Sequence, residues 1–429
     1  MLPATQAEQI ILSLTQPLDL AQDVEVLSLL DATERILAAA VVSSLDFPHW
    51  DNSAMDGYAV RYKDVQSCSA EQPVWLEIVE EIPAGYQPQK PIQAGQAARI
   101  LTGSVMPVGA DAIAVQEEAQ RDGHRVAILK APKPQAFVRH QGTFYRAGSP
   151  LLPAGLKLQA PEIAVLAAAQ CRSVTVYRRP RVAILSTGSE LVDIDQPLQP
   201  GQIVDSNQYA LAALVAQAGA EPLCLGRVPD EPDALRQAIA QSVTSADIVL
   251  SSGGVSVGDY DYVDEILAAL GAEIHIRAVA VRPGKPLTVA IFRNQEVESR
   301  EIIQNSKFKI QNSPLPTLYF GLPGNPVSAL VTFWRFVQPA LRKLSGVPQP
   351  WGPAFMTART RQELKSDGKR ESYLWGKLYL IDGTYEFELA GGSHSSGNLI
   401  NLAGTNGLAI VPLGETLIAA GAQIQVLQV

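Results

Sequence analysis

The chain has 429 residues, of which 47% are hydrophobic and 18% charged, and its formal net charge at pH 7 is −9. This length exceeds what one hydrophobic core organises, so we expect about two to four domains. The acidic balance argues against a broad nucleic-acid footprint, which would need a basic face.

The cysteine, histidine and hydropathy patterns further limit the class of protein. Cys68, Cys171 and Cys224 are far apart and in no C-x-x-C pair, which suggests neither a disulfide framework nor a zinc site. The histidines lack the spacing of metal ligands. The N-terminus has no signal-peptide pattern, and no run of about eighteen apolar residues occurs, so we expect a cytoplasmic protein without a membrane span.

The first 45 residues are predicted to be helical, with an apolar stripe at residues 10–14 and strong helix formers at residues 32–40. The polar segment at residues 51–60 follows, and on composition alone it is a solvated loop. Residues 60–146 are rich in predicted strands. They include a hairpin signal at Asp122-Gly123 and a polar Thr102 directly after a strand.

Residues 147–179 return to a helical pattern, and residues 180–345 then alternate strands with helices, which predicts a parallel sheet. Asn207 begins one of these helices, and its side chain can cap it. Residues 294–316 interrupt the pattern with polar sequence and are interpreted as a surface insertion. Beyond Gly346 the sequence is all-β, with a hairpin at Asp382-Gly383 and an edge strand at residues 423–429.

The segment Asp247–Tyr262 (DIVLSSGGVSVGDYDY) has the clearest functional pattern. Its apolar run ends on Gly253 and Gly254, whose small size lets main-chain N–H groups approach a phosphate. Asp259 and Asp261 follow, before a predicted helix. Open parallel sheets bind ligands at the carboxyl ends of their strands, which makes this turn a candidate site. A plain connecting turn is the alternative.

Several motifs occur along the chain in a fixed order: DNSAMDGYAV (51–60), RILTG (99–103), STGSEL (186–191), SSGGVSVG (251–258), RPGKP (282–286) and GLPGNPVS (321–328). In this order they resemble the molybdopterin molybdenumtransferases, the MoeA-type molybdenum-insertion enzymes whose eukaryotic relative is the C-terminal domain of gephyrin. Any one motif alone is weak, whereas all of them in order are specific.

The resemblance implies a multidomain α/β plus β fold in an L-shaped homodimer, with the active cleft between two subunits. The implied domains are a helical scaffold (1–45 and 147–179), an inserted β-rich domain (46–146), a parallel-sheet α/β domain that binds molybdopterin (180–345) and a C-terminal β-barrel (346–429).

The resemblance also implies the reaction. Adenylylated molybdopterin and molybdate would give molybdenum cofactor and AMP, with Mg²⁺ as the divalent metal. A molybdoenzyme or an adenylyltransferase would be a protein partner, and neither nucleic acid nor membrane is expected as one.

Residue roles follow from the same resemblance. Carboxylates suit Mg²⁺, and Asp56, Glu190, Asp230 and Asp261 match acidic family positions; a solvated turn or a helix cap is the structural alternative for each. Asp56, Glu190, Asp261 and Lys285 would be catalytic. Other residues would bind the substrate: they would neutralise its charge, donate N–H or hydroxyl hydrogen bonds to it, or form the wall of the pocket. They are Thr102, Thr187, Gly188, Asn207, Gly253, Gly254, Ser256, Arg282, Pro323, Gly324, Asn325 and Pro326.

Two positions depart from the family pattern. Phe144 lies in a segment where the family usually has an acidic residue, and Ala278 stands where it tends to have a basic one, with Arg277 as the nearest substitute. Two other functions compete with the main prediction. One is a molybdopterin adenylyltransferase, because residues 180–345 alone resemble that smaller enzyme; the other is a non-enzymatic scaffold of the gephyrin kind.

Overall fold

The structure is a computed structural model and describes residues 1–253, 262–293 and 315–429. The predicted turn after Gly253 and the insertion up to residue 314 therefore lie outside the described residues. The helices are α1 (Ala4–Leu14), α2 (Tyr62–Val65), α3 (Ala160–Ala168), α4 (Ser206–Gln217), α5 (Pro232–Ser245), α6 (Tyr262–Ala269), α7 (Pro326–Thr332) and α8 (Gln338–Leu344), with a π-helix at Phe333–Val337 and 3₁₀ turns at Gln116–Glu118 and Ile400–Leu402. No described helix is long and apolar enough to span a membrane.

The strands, numbered in chain order, are β1 (Val24–Ser28), β2 (Val41–Val42), β3 (Asn52–Ser53), β4 (Gly57–Val60), β5 (Val74–Ile82), β6 (Gln96–Ile100), β7 (Ala112–Val115), β8 (Ala119–Asp122), β9 (Arg125–Ile128), β10 (Val138–Arg139), β11 (Pro150–Leu152), β12 (Ser173–Tyr177), β13 (Arg181–Thr187), β14 (Leu191–Val192), β15 (Ile203–Val204), β16 (Glu221–Val228), β17 (Ile248–Ser252), β18 (Glu273–Ala278), β19 (Val281–Arg282), β20 (Pro286–Phe292), β21 (Thr317–Leu322), β22 (Phe355–Thr360), β23 (Leu364–Lys365), β24 (Glu371–Ile381), β25 (Thr384–Leu389), β26 (Gly407–Val411), β27 (Leu417–Ile418) and β28 (Gln423–Gln428).

The chain divides into two compact units. The first contains residues 1–39, 155–159 and 173–429, and the second contains residues 40–154 and 160–172. The division into four domains predicted from the sequence stays a prediction.

The first unit is built on a sheet of order β16-β13-β17-β21-β20-β18. The first four of these strands are parallel, as predicted, whereas β20 runs antiparallel to β21 and β18 antiparallel to β20. Val182 and Ile184 of β13 pack in a core with α1, α4, α7 and α8, and the alternate residues Ala183 and Leu185 pack with α5 and α6. Both faces are covered, which explains why these strands are continuous apolar runs.

The C-terminal strands form a closed barrel in the order β24-β25-β22-β28-β26, with β26 pairing back to β24. The predicted hairpin is confirmed: β24 and β25 are joined at Asp382 and Gly383, with φ of 46° and 76°. The predicted edge position of the last strand is wrong, because β28 lies between β22 and β26. Closure of a barrel leaves such a strand paired on both sides.

The second unit carries a sheet of order β7-β4-β6-β5-β9-β8. β8 and β9 form the hairpin predicted around Asp122-Gly123, where Gly123 has a φ of 57°. Two apolar clusters lie against this sheet; Tyr58 and Val60 belong to one and Ala59 to the other. Alternate residues of β4 thus point to opposite faces, as the strand period requires.

Two local predictions are corrected by the structure. The helix predicted up to residue 45 is confirmed only as α1, because residues 24–28 form β1, which pairs with β12, and Leu37 bridges to Val176. Long-range strand pairing outweighs helix propensity there. Asn207 does not cap α4; Asp205 does, accepting a hydrogen bond from the Gln208 amide at 3.1 Å.

Candidate active site

The turns that end the four parallel strands share one edge of the sheet. β16, β13, β17 and β21 are neighbours with the same direction. Thr187 ends β13 and Gly188 follows it, whereas Asp230, Gly253 and Pro323-Gly324 follow β16, β17 and β21, respectively. These residues thus lie at the carboxyl ends of the parallel strands, which is the edge where open α/β sheets bind ligands.

Three of these turns approach each other closely. Gly253 has a φ of 89°, and a Cβ there would lie 2.2 Å from the Thr187 carbonyl oxygen. A Cβ on Gly324 would lie 3.5 Å from the Gly253 Cα, and the Asn207 Nδ2 donates to the Gly324 carbonyl at 2.8 Å. The structure thus brings Thr187, Gly253, Gly324 and Asn207 together. Glycine is required at Gly253, where an added Cβ would clash with the Thr187 carbonyl.

Two of the predicted acidic residues lie at this edge. Glu190 and Asp230 are exposed and follow the neighbouring strands β13 and β16. The Ser189 amide donates to the Asp230 Oδ2 at 3.2 Å. The Glu190 carboxylate lies over Gly188, where a Cβ would be 2.8 Å from Oε2. This side of the crevice is therefore negatively charged.

The donor set at this edge fits a hard divalent cation in its chemistry, because carboxylate oxygens are the ligands Mg²⁺ prefers. Among residues 1–253, 262–293 and 315–429, however, no group of three or more His, Cys, Asp or Glu side chains is arranged to hold a metal. Asp261, together with Gly254 and Ser256, lies outside the described residues. Glu190 and Asp230 are the described candidate ligands at this edge.

The RPGKP segment reaches the same edge because β20 is antiparallel. Thr288 of β20 pairs with Gly321 of β21, so the residues before Pro286 lie beside the end of β21. There, Arg282 and Lys285 line a cavity of about 850 Å³. Gly284, with a φ of 114°, lies so close to Thr332 that a Cβ would be 2.6 Å from its Cγ2.

Part of this cavity comes from a region to which the sequence analysis assigned no function. Lys365 at the end of β23 lines it, together with Asp367 and Arg370 of the turn between β23 and β24 and the polar residues 393–396. The Ser396 carbonyl accepts a hydrogen bond from the Val327 amide at 3.1 Å, which fixes this loop to the start of α7. The only sequence signal is a polar, glycine-containing stretch between strands. Of the predicted wall residues, Asn325 lines the cavity, Pro323 and Gly324 form the turn, and Pro326 begins α7.

In the second unit, Asp56 and Thr102 form a pair. The Asp56 Oδ1 accepts hydrogen bonds from the Thr102 amide and hydroxyl, both at 2.7 Å. These bonds, the amide first, lower the pKa of Asp56, and the positive charge of Arg99 adds to the effect. Asp56 is therefore a partly exposed carboxylate that stays ionised, and both Thr102 donors are directed at it.

The two departures from the family pattern are both visible. Phe144 presents an apolar side chain that is 71% exposed at that position. Ala278 ends β18, and the neighbouring Arg277 forms an ion pair with Asp264 at 2.7 Å. The nearest basic substitute for Ala278 is therefore already engaged.

Similarity to proteins of known function agrees with this arrangement. The chain is 61% identical over 419 residues to the molybdopterin molybdenumtransferase of Nostoc sp., covering 98% of this chain and 92% of that relative. The chain belongs to the molybdopterin molybdenumtransferase family. The family member from Haemophilus influenzae is 35% identical over 86% of each chain.

Other comparisons with this family cover the same regions. Residues 2–169 match the MoeA N-terminal region (domain I and II), residues 183–343 a probable molybdopterin binding domain, and residues 357–429 the MoeA C-terminal region (domain IV). A solved molybdopterin biosynthesis MoeA protein from Pyrococcus horikoshii superposes with a TM-score of 0.81 at 25% identity, covering 100% of both chains. Another solved molybdopterin biosynthesis MoeA protein from the same organism gives a TM-score of 0.77 at 27% identity, covering 100% of this chain and 99% of that chain.

Proposed function

We propose that this protein inserts molybdenum from molybdate into adenylylated molybdopterin and releases AMP. The observation that carries the proposal is the cavity of about 850 Å³ at the crevice edge, where Arg282 and Lys285 face Lys365 and Arg370. Such a group of cations suits an oxyanion held beside a phosphoanhydride, because positioned positive charge stabilises the charge that develops as the anhydride breaks.

The glycine-lined turns supply the second part of the site. The main chains of Thr187, Gly253 and Gly324 lie close together. Gly324 is followed by Asn325, which lines the cavity. Backbone that can approach a ligand this closely suits the pterin and its phosphate. Lys285 and Arg282 would hold the oxyanion. The carboxylates at this edge, Glu190 and Asp230, would face the leaving nucleotide.

Mg²⁺ is part of the proposal. Glu190, Asp230, Asp56 and, outside the described residues, Asp261 would be its ligands, and the ion would supply positive charge to the phosphoanhydride. The homodimer, the cytoplasmic location and a molybdoenzyme or adenylyltransferase partner are proposed on the family resemblance. The competing functions receive less support, because the relatives that match almost the whole chain carry the molybdenumtransferase name.

The test incubates purified protein with adenylylated molybdopterin, molybdate and MgCl₂. We expect equimolar AMP and pterin-bound molybdenum, measured by chromatography and by metal analysis of the pterin fraction. A second incubation with molybdopterin and ATP distinguishes this function from that of a molybdopterin adenylyltransferase, because AMP attached to the pterin would indicate the adenylyltransferase. Absence of both reactions in folded protein would favour a scaffold.

A further inference from the structure

An ion pair lies inside the basic cavity. Arg282 Nη1 is 2.8 Å from Asp367 Oδ2, and the two side chains are 52% and 32% exposed. Arg282 ends β19, whereas Asp367 lies in the turn between β23 and β24. Among the described residues that line the cavity, Asp367 is the one acidic side chain.

The Asp367 carboxylate is fixed independently of Arg282. Its Oδ1 accepts a hydrogen bond from the Lys369 amide at 3.0 Å. That bond lowers the pKa of Asp367, and the charges of Arg282 and Arg370 lower it further. Asp367 is therefore a permanent anion at neutral pH, held where it meets the guanidinium.

The remaining cations of the cavity are engaged differently. Lys365 lies 3.5 Å from Glu363, and Arg370 donates to the Val281 carbonyl at 3.3 Å. Lys285 has no ion pair within the described parts of the chain. Among the described cations of the cavity, Arg282 is therefore the one with which Asp367 forms an ion pair.

We propose that Asp367 is an internal competitor for the oxyanion at Arg282. The inference rests on the proposed function, because it concerns the same cavity. The guanidinium must separate from the carboxylate before an anion can take the carboxylate's place, and the negative charge that stays nearby repels the anion. The ion pair therefore lowers the affinity of the cavity for molybdate.

The test measures molybdate binding to the full-length protein by calorimetry at low ionic strength. We expect D367N, which keeps the side-chain shape without the charge, to bind molybdate about three- to tenfold more tightly. In the R282Q background, D367N should change molybdate affinity by less than about twofold, because the two residues act together.

E363Q is the matched control. It removes one negative charge from the other end of β23, where Glu363 pairs with Lys365, and we expect a change below about twofold. Weaker or unchanged binding in D367N would overturn the inference and make Asp367 a residue that positions Arg282 or has no role. An equal gain in E363Q, or no molybdate binding by any variant, would also overturn it.

Molybdenum insertion by the same samples separates this inference from the proposed function. Insertion by the wild type without tighter binding in D367N means that the inference is wrong and the function stands. Tighter binding in D367N without insertion by the wild type means that the competitor is real and the function is wrong.

Discussion

Asp56 accepts two hydrogen bonds from one residue, Thr102, through its main-chain amide and its hydroxyl. Residues 46 positions apart are thereby joined at the ends of neighbouring strands β4 and β6. The pair explains why this partly exposed carboxylate has a lowered pKa, because both donors favour its ionised form.

Thr102→Val should remove the hydroxyl bond and keep the amide bond. We expect molybdenum insertion to fall by about tenfold, the effect of one hydrogen bond to a charged group. The pKa of Asp56 should rise towards its ordinary value. Because the ionised form is lost as pH falls through the folded-state pKa, activity on the acid side should fail at a higher pH than in the wild type. Thr102→Ser keeps the hydroxyl and serves as the control; an unchanged acid limb in T102V would contradict the assignment.

Lys285→Ala should lower the insertion rate by about a hundredfold or more, since it removes a charge positioned for the oxyanion. The melting temperature should stay close to that of the wild type, because Lys285 is only half-buried. Lys369→Ala is a matched control, because Lys369 is exposed in the same region and its side chain does not line the cavity. Equal rates for K285A and the wild type would remove Lys285 from the mechanism.

Gly253→Ala should destabilise the crevice more than an ordinary glycine substitution. Gly253 and Gly226 have similar φ values, 89° and 84°, but only Gly253 has an atom, the Thr187 oxygen, 2.2 Å from the added Cβ. Gly226→Ala is therefore the control. Both substitutions destabilise the left-handed backbone by about 1–2 kcal/mol, and G253A adds a clash that costs about 1–3 kcal/mol. Urea unfolding of both variants measures the difference, which would be absent if the two turns did not approach each other.

Glu190→Gln should raise the Mg²⁺ concentration that gives half-maximal AMP release, by about tenfold, because it removes one anionic ligand. Glu231→Gln is the control, since Glu231 is exposed next to Asp230 and its side chain caps no helix. Titration of AMP release with MgCl₂ measures both variants. An identical Mg²⁺ dependence in E190Q and E231Q would argue against a metal ligand at Glu190.

Sequence by itself determined the features that depend on neighbouring residues. The apolar runs of β13 and β17 and the glycines that end them follow from local composition, as does the Asp382-Gly383 hairpin. Tertiary structure alone decided which distant segments meet. The antiparallel direction of β20 places Arg282 and Lys285 beside the parallel strand ends, and the pairing of β19 with β24 brings Asp367 to Arg282. These contacts arise from strand pairing between remote segments, whose free energy depends on the whole packed sheet and leaves no periodic signal in the local sequence.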